Sequence, residues 1–413
     1  MNDQPAEQAD VRRGNLSLVL RRIRDAGPRS RARIAAETGL TRATVSSLVA
    51  DLVTRGLLHE GELRPTGGSG RPGQWYELSD RVYGVGAEIS VDYLSVIVLD
   101  LSGAVRVNQR RAYDVPRSTP AQTLDAVGAL VADAVGAVGG WPSGLGVATP
   151  GNVDAGSGRV EYAPTIGWSG VPVVTELTTR LGEQAGPVEV GNDVQLSAIA
   201  EYALGVAAGT PHLAYLSGEM GVGAGVVVEQ GRLLRGAQGH SGEIGHLPLN
   251  PEPAACPCGR RGCWETMVGL GALLRLAADP GDPVHDPERD LEDRLAELHR
   301  RAAAGDARTL AALDQIATGL GLGASVLVNM VNPAVLVLGG YFAALGQYLL
   351  PGVRRELADR VVAPDAAACR VELSHLGFTA AALGGAYAAL QRVLADPTRV
   401  PPLGLTRARG PST

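Results

Sequence analysis

Residues 246–263 read His-Leu-Pro-Leu-Asn-Pro-Glu-Pro-Ala-Ala-Cys-Pro-Cys-Gly-Arg-Arg-Gly-Cys, and no other stretch constrains the fold as tightly. Three of the four cysteines, Cys256, Cys258 and Cys263, fall within eight residues, and His246 stands ten positions upstream. Zn²⁺ is satisfied by four nitrogen or sulfur ligands in a tetrahedron, and three Cys with one His form such a set. Gly259 and Gly262 allow the tight backbone turns that wrapping an ion requires. A disulfide would need an oxidising compartment, to which nothing in the sequence points. Free thiols beside an unrelated His are the bland alternative, and the clustering disfavours it. With all four positions filled by protein, the expected Zn²⁺ is structural. Cys369 stands apart and reads as a small core residue.

The first 80 residues have a different texture. An amphipathic helix starts near Asn15 and stops at Gly27-Pro28. Ser30 can cap a short second helix that ends at Gly39, and Thr41 can cap a third. In that third helix Val45, Leu48, Val49, Leu52 and Val53 recur at helical spacing and form one apolar stripe. Its other side offers Arg42, Ala43, Thr44, Ser46 and Ser47, groups that allow close approach to another surface. Two short strands follow, around the Gly-rich stretch Thr66–Gly73. Helix, helix, turn, helix and hairpin make a winged helix-turn-helix. Residues 1–72 hold twelve Arg and eight acidic residues, a net +4 within a chain whose total is −6. A basic head on an acidic body fits a polyanionic partner, double-stranded operator DNA. On that reading Thr41, Arg42, Ala43, Thr44, Ser46 and Ser47 enter the major groove or flank it, and Arg71 reaches a narrow minor groove from the wing.

At 413 residues the chain is too long for one ordinary domain, which predicts two or three. The chain's 45% hydrophobic content supports a real core and excludes wholesale disorder. Aromatics at 4% and 55 glycines favour an α/β body over an aromatic-rich sandwich. Strand-like segments at 85–89, 94–99 and 105–113 precede a helix from Thr119-Pro120 to Val138. Short buried strands at 145–148 and 188–190, a hairpin at 213–228 and a strand at 335–338 follow, with helices between them. This order predicts two lobes and a cleft. No apolar run reads as a membrane span and the N-terminus is polar, so the expectation is a cytoplasmic protein without a membrane partner.

Gly242-Glu243-Ile244-Gly245-His246, the cysteine run, Asn192-Asp193 and Thr149-Pro150-Gly151 occur together in the order and spacing of the ROK family (repressors, open reading frames and kinases). The chain resembles the transcriptional-repressor branch of that family, of the xylose-repressor type. The resemblance implies a winged helix-turn-helix head over 1–80, then a ribonuclease-H-like, actin-like sugar-kinase body over 81–398. That body has lobes of about 81–192 and 193–376, a C-terminal helix 379–394 returning to the first lobe, and a flexible tail over 399–413. It also implies a sugar site of Gly151, Asn152, Thr165, Asn192, Asp193, Glu243, His246 and Glu265, in which Asp193 is the base if the protein is a kinase. Carboxylates and amides around a pyranose match its donor and acceptor hydroxyls.

The family's phosphate loops are poorly matched. The first carries Asp-x-Gly-Gly-Thr, and here Glu88-Ile89-Ser90-Val91-Asp92 stands in its place. The second, Gly-Thr-Gly-x-Gly, reads Glu219-Met220-Gly221-Val222-Gly223. ATP is therefore not expected as a cofactor, and Gly221, Gly223 and Gly225 are read as hairpin formers. The expectation is a repressor of carbohydrate-metabolism genes, a homodimer or homotetramer. Its operator affinity would be controlled by a monosaccharide or sugar phosphate. An ATP-dependent sugar kinase with a DNA-binding head is the alternative. A DNA-binding protein whose body only oligomerises is disfavoured, because the cleft's polar residues would be costly to bury without a ligand.

Overall fold

The computed structural model describes residues 8–64, 73–287, 289–362 and 369–403. The head opens with α1 (Gln8–Ala26), which begins well before its buried stripe of Leu16, Val19, Leu20 and Ile23. Its first turns are polar and exposed, so no apolar periodicity marks them. After β1 (Arg29–Ser30), the Ser30 side chain accepts from Arg33 N–H at 3.3 Å and caps α2 (Arg31–Thr38). Thr41 likewise accepts from Thr44 N–H and caps α3 (Arg42–Thr54). This helix buries Val45, Leu48, Val49 and Leu52, while Val53 is only half-buried. The wing is β2 (Leu58–Arg64) and β3 (Gly73–Leu78), and β1 adds to β3 as a third strand. Arg71 and the rest of the Gly-rich loop lie outside the described residues.

Only residues 79–81 separate the wing from the body. There β4 (Val82–Ile89), β5 (Tyr93–Asp100) and β6 (Val105–Ala112) form an antiparallel meander. Helix α4 (Pro120–Val138) follows, with a Thr119–Gln122 capping box and Pro in its first turn. Strand β7 (Trp141–Thr149) then pairs parallel to β4. A small sheet of β8 (Asn152–Asp154), β9 (Arg159–Ala163) and β10 (Trp168–Val171) is inserted before α5 (Val173–Leu181). Strand β11 (Val188–Asn192) completes the first sheet, parallel to β7, and α6 (Asp193–Leu204) leaves it.

The second sheet repeats this plan. A meander of β12 (Leu213–Gly218), β13 (Val222–Val228) and β14 (Arg232–Leu233) is extended by parallel β15 (Val335–Gly340) and β16 (Arg370–Leu373). Between its halves run α7 (Glu265–Val268), α8 (Leu270–Ala277), α9 (Leu291–Ala303) and α10 (Ala307–Val331). Helices α11 (Tyr341–Ala344) and α12 (Gly346–Arg360) follow β15. Two sheets of one order, each a meander plus two parallel strands, are the ribonuclease-H-like architecture.

The last helix, α13 (Ala380–Ala395), lies back across the first sheet. A Cβ on Gly86 would strike the Ala382 carbonyl oxygen, so only glycine lets strand and helix approach this closely. The far end of α13 enters the head: Leu390, Val393 and Leu394 share one apolar cluster with Leu16, Val19, Leu20 and Ile23. Ser17 Oγ donates to Leu394 O at 2.6 Å, and the Arg55 guanidinium donates to Val400 O at 2.6 Å and Thr398 O at 3.1 Å.

Contrary to the expectation that no run reaches membrane length, α4 and α10 are long and apolar enough to cross a bilayer. Here α4 lays Leu124, Val127 and Val131 on the first lobe's core, and two-thirds of the most apolar window of α10 is buried.

Candidate functional site

Asn192 and Asp193 sit where β11 turns into α6, at the bottom of a cleft between the two sheets. The cavity measures about 970 Å³ including its open mouth. From the first lobe it is walled by Glu88 at the end of β4, the Ser90-Val91 turn, Pro150-Gly151 and Pro164-Thr165. The second lobe adds Ser217, the Glu219–Val222 turn, Gly242-Glu243, His246 and Glu265, and Ala381 of α13 closes one side. Gly151, Thr165, Asn192, Asp193, Glu243, His246 and Glu265 are thus brought together. Asn152 is not a lining residue; it opens β8, in register with Tyr162.

Asn192 is occupied by structural work. Its Oδ1 accepts from Gln195 N–H at 3.0 Å, capping α6, and its Nδ2 donates to Gly151 O at 3.1 Å. It therefore fixes the Gly151 loop against the helix. Asp193 Oδ1 accepts from Val194 N–H at 2.8 Å. Burial, with the Glu243 charge added, pushes the Asp193 carboxyl up to about 6. Burial also raises Glu243, against the lowering pull of His246. Such a carboxylate can take a proton near neutral pH from a hydroxyl held against it.

The cysteine run forms a knuckle beside this wall. An Ala255–Arg261 bridge and the hydrogen bond from Cys256 N–H to Arg260 O close the loop, with Gly259 and Gly262 at positive φ. The ligand atoms of His246, Cys256, Cys258 and Cys263 all lie within 4.8 Å of one another. Cys258 and Cys263 sulfurs are 3.7 Å apart, as are Cys256 Sγ and His246 Nδ1. Tetrahedral Zn–S bonds of about 2.3 Å place sulfurs ~3.7 Å apart, whereas a disulfide needs about 2.05 Å. The donor set therefore fits Zn²⁺. His246 directs Nδ1 toward the cysteines and Nε2 toward Glu243 Oε2 at 3.7 Å, so one ring spans both sites. Glu265 Oε1 accepts from Cys256 Sγ at 2.7 Å, which ties the knuckle to the cavity wall. Trp264 anchors the assembly: it is fully buried, and its indole N–H donates to Gly319 O of α10 at 2.8 Å.

Glu88, Glu219 and Trp264 were not among the predicted site residues. The signal for Glu88 was a carboxylate inside a strand whose every position is buried. Glu88 is 3% exposed, accepts from Tyr93 Oη at 2.8 Å and Ser95 Oγ at 3.3 Å, and burial pushes its carboxyl up to about 8. Gly221 sits in the β12–β13 turn, as a hairpin former would, whereas Gly225 lies inside β13, where a Cβ would come 2.6 Å from Ala198 Cβ of α6.

On the head, Thr41, Arg42, Ala43 and Ser47 are exposed, while Thr44 and Ser46 are half-buried. The Thr41 and Thr44 hydroxyls hydrogen-bond to each other at 2.9 Å. Arg12 of α1, absent from the sequence reading, lies on the same face and reaches Ser47 Oγ at 3.4 Å and Asp51 at 2.8 Å.

Comparison with known proteins agrees with this architecture. Residues 17–71 match the MarR family model, and residues 84–392 match that of the ROK family. The xylose repressor of Bacillus spizizenii is 29% identical over 382 residues, covering 92% of this chain and 95% of its own. A crystal structure of a ROK family transcriptional regulator, a homolog of the E. coli MLC protein, superposes with a TM-score of 0.74 at 23% identity; it covers 94% of this chain and 97% of that one. A ROK family glucokinase from Streptomyces griseus, in complex with glucose and AMPPNP, superposes with a TM-score of 0.65 at 24% identity. It covers 75% of this chain and 99% of its own. With the family model spanning most of its length, the chain belongs to the ROK family.

Proposed function

We propose that the chain is a sugar-responsive transcriptional repressor of carbohydrate-metabolism genes. The observation that carries this reading is the path of α13, from Ala381 in the cavity wall to Leu394 in the head's apolar cluster. A ligand that changes the cleft has a continuous packed route to the DNA-binding element.

In this reading α3 enters the major groove of double-stranded operator DNA, with Thr41, Arg42, Ala43, Thr44, Ser46 and Ser47 at or beside the bases. Arg71 contacts the minor groove. Two heads of a homodimer or homotetramer read a symmetric operator in the cytoplasm. The effector, a monosaccharide or sugar phosphate, is held by Gly151, Thr165, Asp193, Glu243, His246 and Glu265, with Asn192 positioning the floor. Carboxylates accept from its hydroxyls, and His246 offers a ring nitrogen from the knuckle. His246, Cys256, Cys258 and Cys263 would hold a structural Zn²⁺; when bound, it locks the loop that carries His246 and Glu265.

No phosphoryl transfer is assigned. Asp193 is where a kinase would keep its base, which favours the kinase alternative. Glu219 and Val91 stand where phosphates would need glycine N–H groups, which weighs against it.

The test is linkage. Sugar that weakens operator binding must itself be bound more weakly, by the same factor, when operator is present. Titrating monosaccharides into the full chain, with and without a duplex selected from random DNA, measures this. Equal affinity in both titrations refutes the reading.

A further inference from the structure

We infer that the DNA-binding surface extends beyond the helix-turn-helix and the wing onto the first turns of α1, where Arg12 is a phosphate-contacting residue that Asp51 holds in place until DNA arrives. This rests on the DNA-binding part of the repressor reading and adds a contact to it.

The first turns of α1 have no packing role. Gln8 through Gly14 are all exposed, and the buried stripe starts only at Leu16. An extra ~10 Å of helix with no core beneath it gains little by itself. Periodicity sets what this piece presents. Arg12 stands four residues before Leu16, seven before Val19 and eleven before Ile23, so it continues the stripe with which α1 packs on α3. Where the core gives out, the stripe offers a cation in place of an apolar side chain.

Arg12 reaches the flank of α3. Its guanidinium donates to Asp51 Oδ2 at 2.8 Å and to Ser47 Oγ at 3.4 Å. A recognition helix in a major groove about 12 Å wide has a phosphate strand along each flank. Asp51 is the one acidic residue of α3, and alone on that flank it would repel phosphate. Arg55 Nε donates to its Oδ1 at 2.8 Å, so each carboxylate oxygen has its own arginine and the trio is left with a net positive charge. The neighbouring cation, Arg13, is committed to Asp10 and, at 4.0 Å, to Asp396.

The two arginines on Asp51 are held very differently. The Arg55 side chain is 16% exposed, and the Thr398 and Val400 carbonyls hold its other end. The Arg12 side chain is 48% exposed, and among the described residues it is held by Ser47 and Asp51 alone. An exposed ion pair contributes little and is screened by salt. Arg12 can therefore leave Asp51 for a phosphate, while Arg55 keeps the carboxylate paired. The exchange gives up one weak pair, gains a charge-assisted hydrogen bond to phosphate and releases a counterion. Until then Asp51 keeps a long side chain poised beside α3, which lowers the cost of ordering it on binding.

Anisotropy titrations of the full chain against the duplex selected from random DNA and against a shuffled duplex, across ~0.05–0.2 M salt, test this. Arg12→Ala should weaken both duplexes by a similar factor, about tenfold at ~0.1 M salt, and lower the slope of log K against log salt by about 0.9. Arg12→Lys keeps the charge and should keep the slope; a drop equal to that of alanine overturns the inference. So does an unchanged slope in Arg12→Ala, or a loss confined to the selected duplex, which would put Arg12 on a base. Asp51→Asn should strengthen both duplexes about twofold to fivefold, and by more in the otherwise unaltered chain than beside Arg12→Ala. Equal gains in the two backgrounds show that Asp51 does not hold Arg12 and overturn the exchange. If the unaltered chain binds DNA while these variants fail, the repressor reading stands without the new contact. Binding of neither duplex by the unaltered chain overturns both.

Discussion

Replacing Glu88 by Gln removes one titration and preserves the shape and the acceptor for Tyr93 Oη. Glu88 is enclosed by Tyr93 and Ser95 of β5, Asp193 at the start of α6, Arg110 of β6, and the Glu219 turn. Its carboxyl titrates at about 8 in the folded chain against an ordinary 4.5. Between these values the folded chain holds a proton that the unfolded chain has released. Stability of the wild type must therefore fall as pH rises through this window, by at most ~1.4 kcal/mol per pH unit from this group. From pH 5 to pH 8 that amounts to on the order of 3–4 kcal/mol. Glu88→Gln escapes this loss, although Asp193, at about 6, adds its own decline at lower pH in both proteins. Paired urea unfolding curves at pH 5, 6, 7 and 8 should show the variant gaining on the wild type at every step. Curves that run parallel across the range would refute the reasoning, because Glu88 would then be ionised in the folded state.

The purified chain should carry about one Zn²⁺, measured by metal analysis, and Cys258→Ser should lose it. Glu243→Ala should spare operator binding, measured by gel shift, and weaken the effector about ten- to a hundredfold, because a charge-assisted hydrogen bond is lost. A coupled assay should find no sugar phosphorylation above background; turnover that vanishes in Asp193→Asn would instead establish the kinase alternative. Arg71→Ala should weaken DNA binding and flatten its dependence on salt, because one fewer cation displaces counterions.

Local chemistry made much of this chain legible. Ser30, Thr41 and Thr119 cap helices as their hydroxyls predict, and β4, β7 and β15 are the apolar runs that buried strands require. The knuckle was readable because metal ligands must be close in space and here are close in sequence. The β8–β10 sheet was not, since its short strands mix polar and apolar residues and depend on each other for pairing. Asn192 reads as a sugar ligand in the motif and lines the cleft, and the sequence does not reveal that one N–H and one lone pair of its amide also hold Gly151 and Gln195. That Glu88 and Glu219 line one cavity, near enough for the charge of Glu88 to raise Glu219, is revealed by no spacing. Neither is the Ser17–Leu394 contact, which joins residues 377 positions apart.

That last contact bears on how such proteins can be recombined. The three residues between β3 and β4 look like the natural place to cut and exchange one head for another. A chimera joined there would keep its old α13, a rod of about 24 Å, and press Leu390, Val393, Leu394 and Val400 against a foreign surface. An isolated body would bare the same side chains to water. The transferable unit is therefore discontinuous: the first 78 residues together with the stretch from α13 to Leu403, whose N–H donates to Thr54 O at 2.9 Å. Sensors assembled by moving both pieces should keep their allosteric response. Those assembled at the visible seam alone should still bind DNA but no longer report what occupies the cleft.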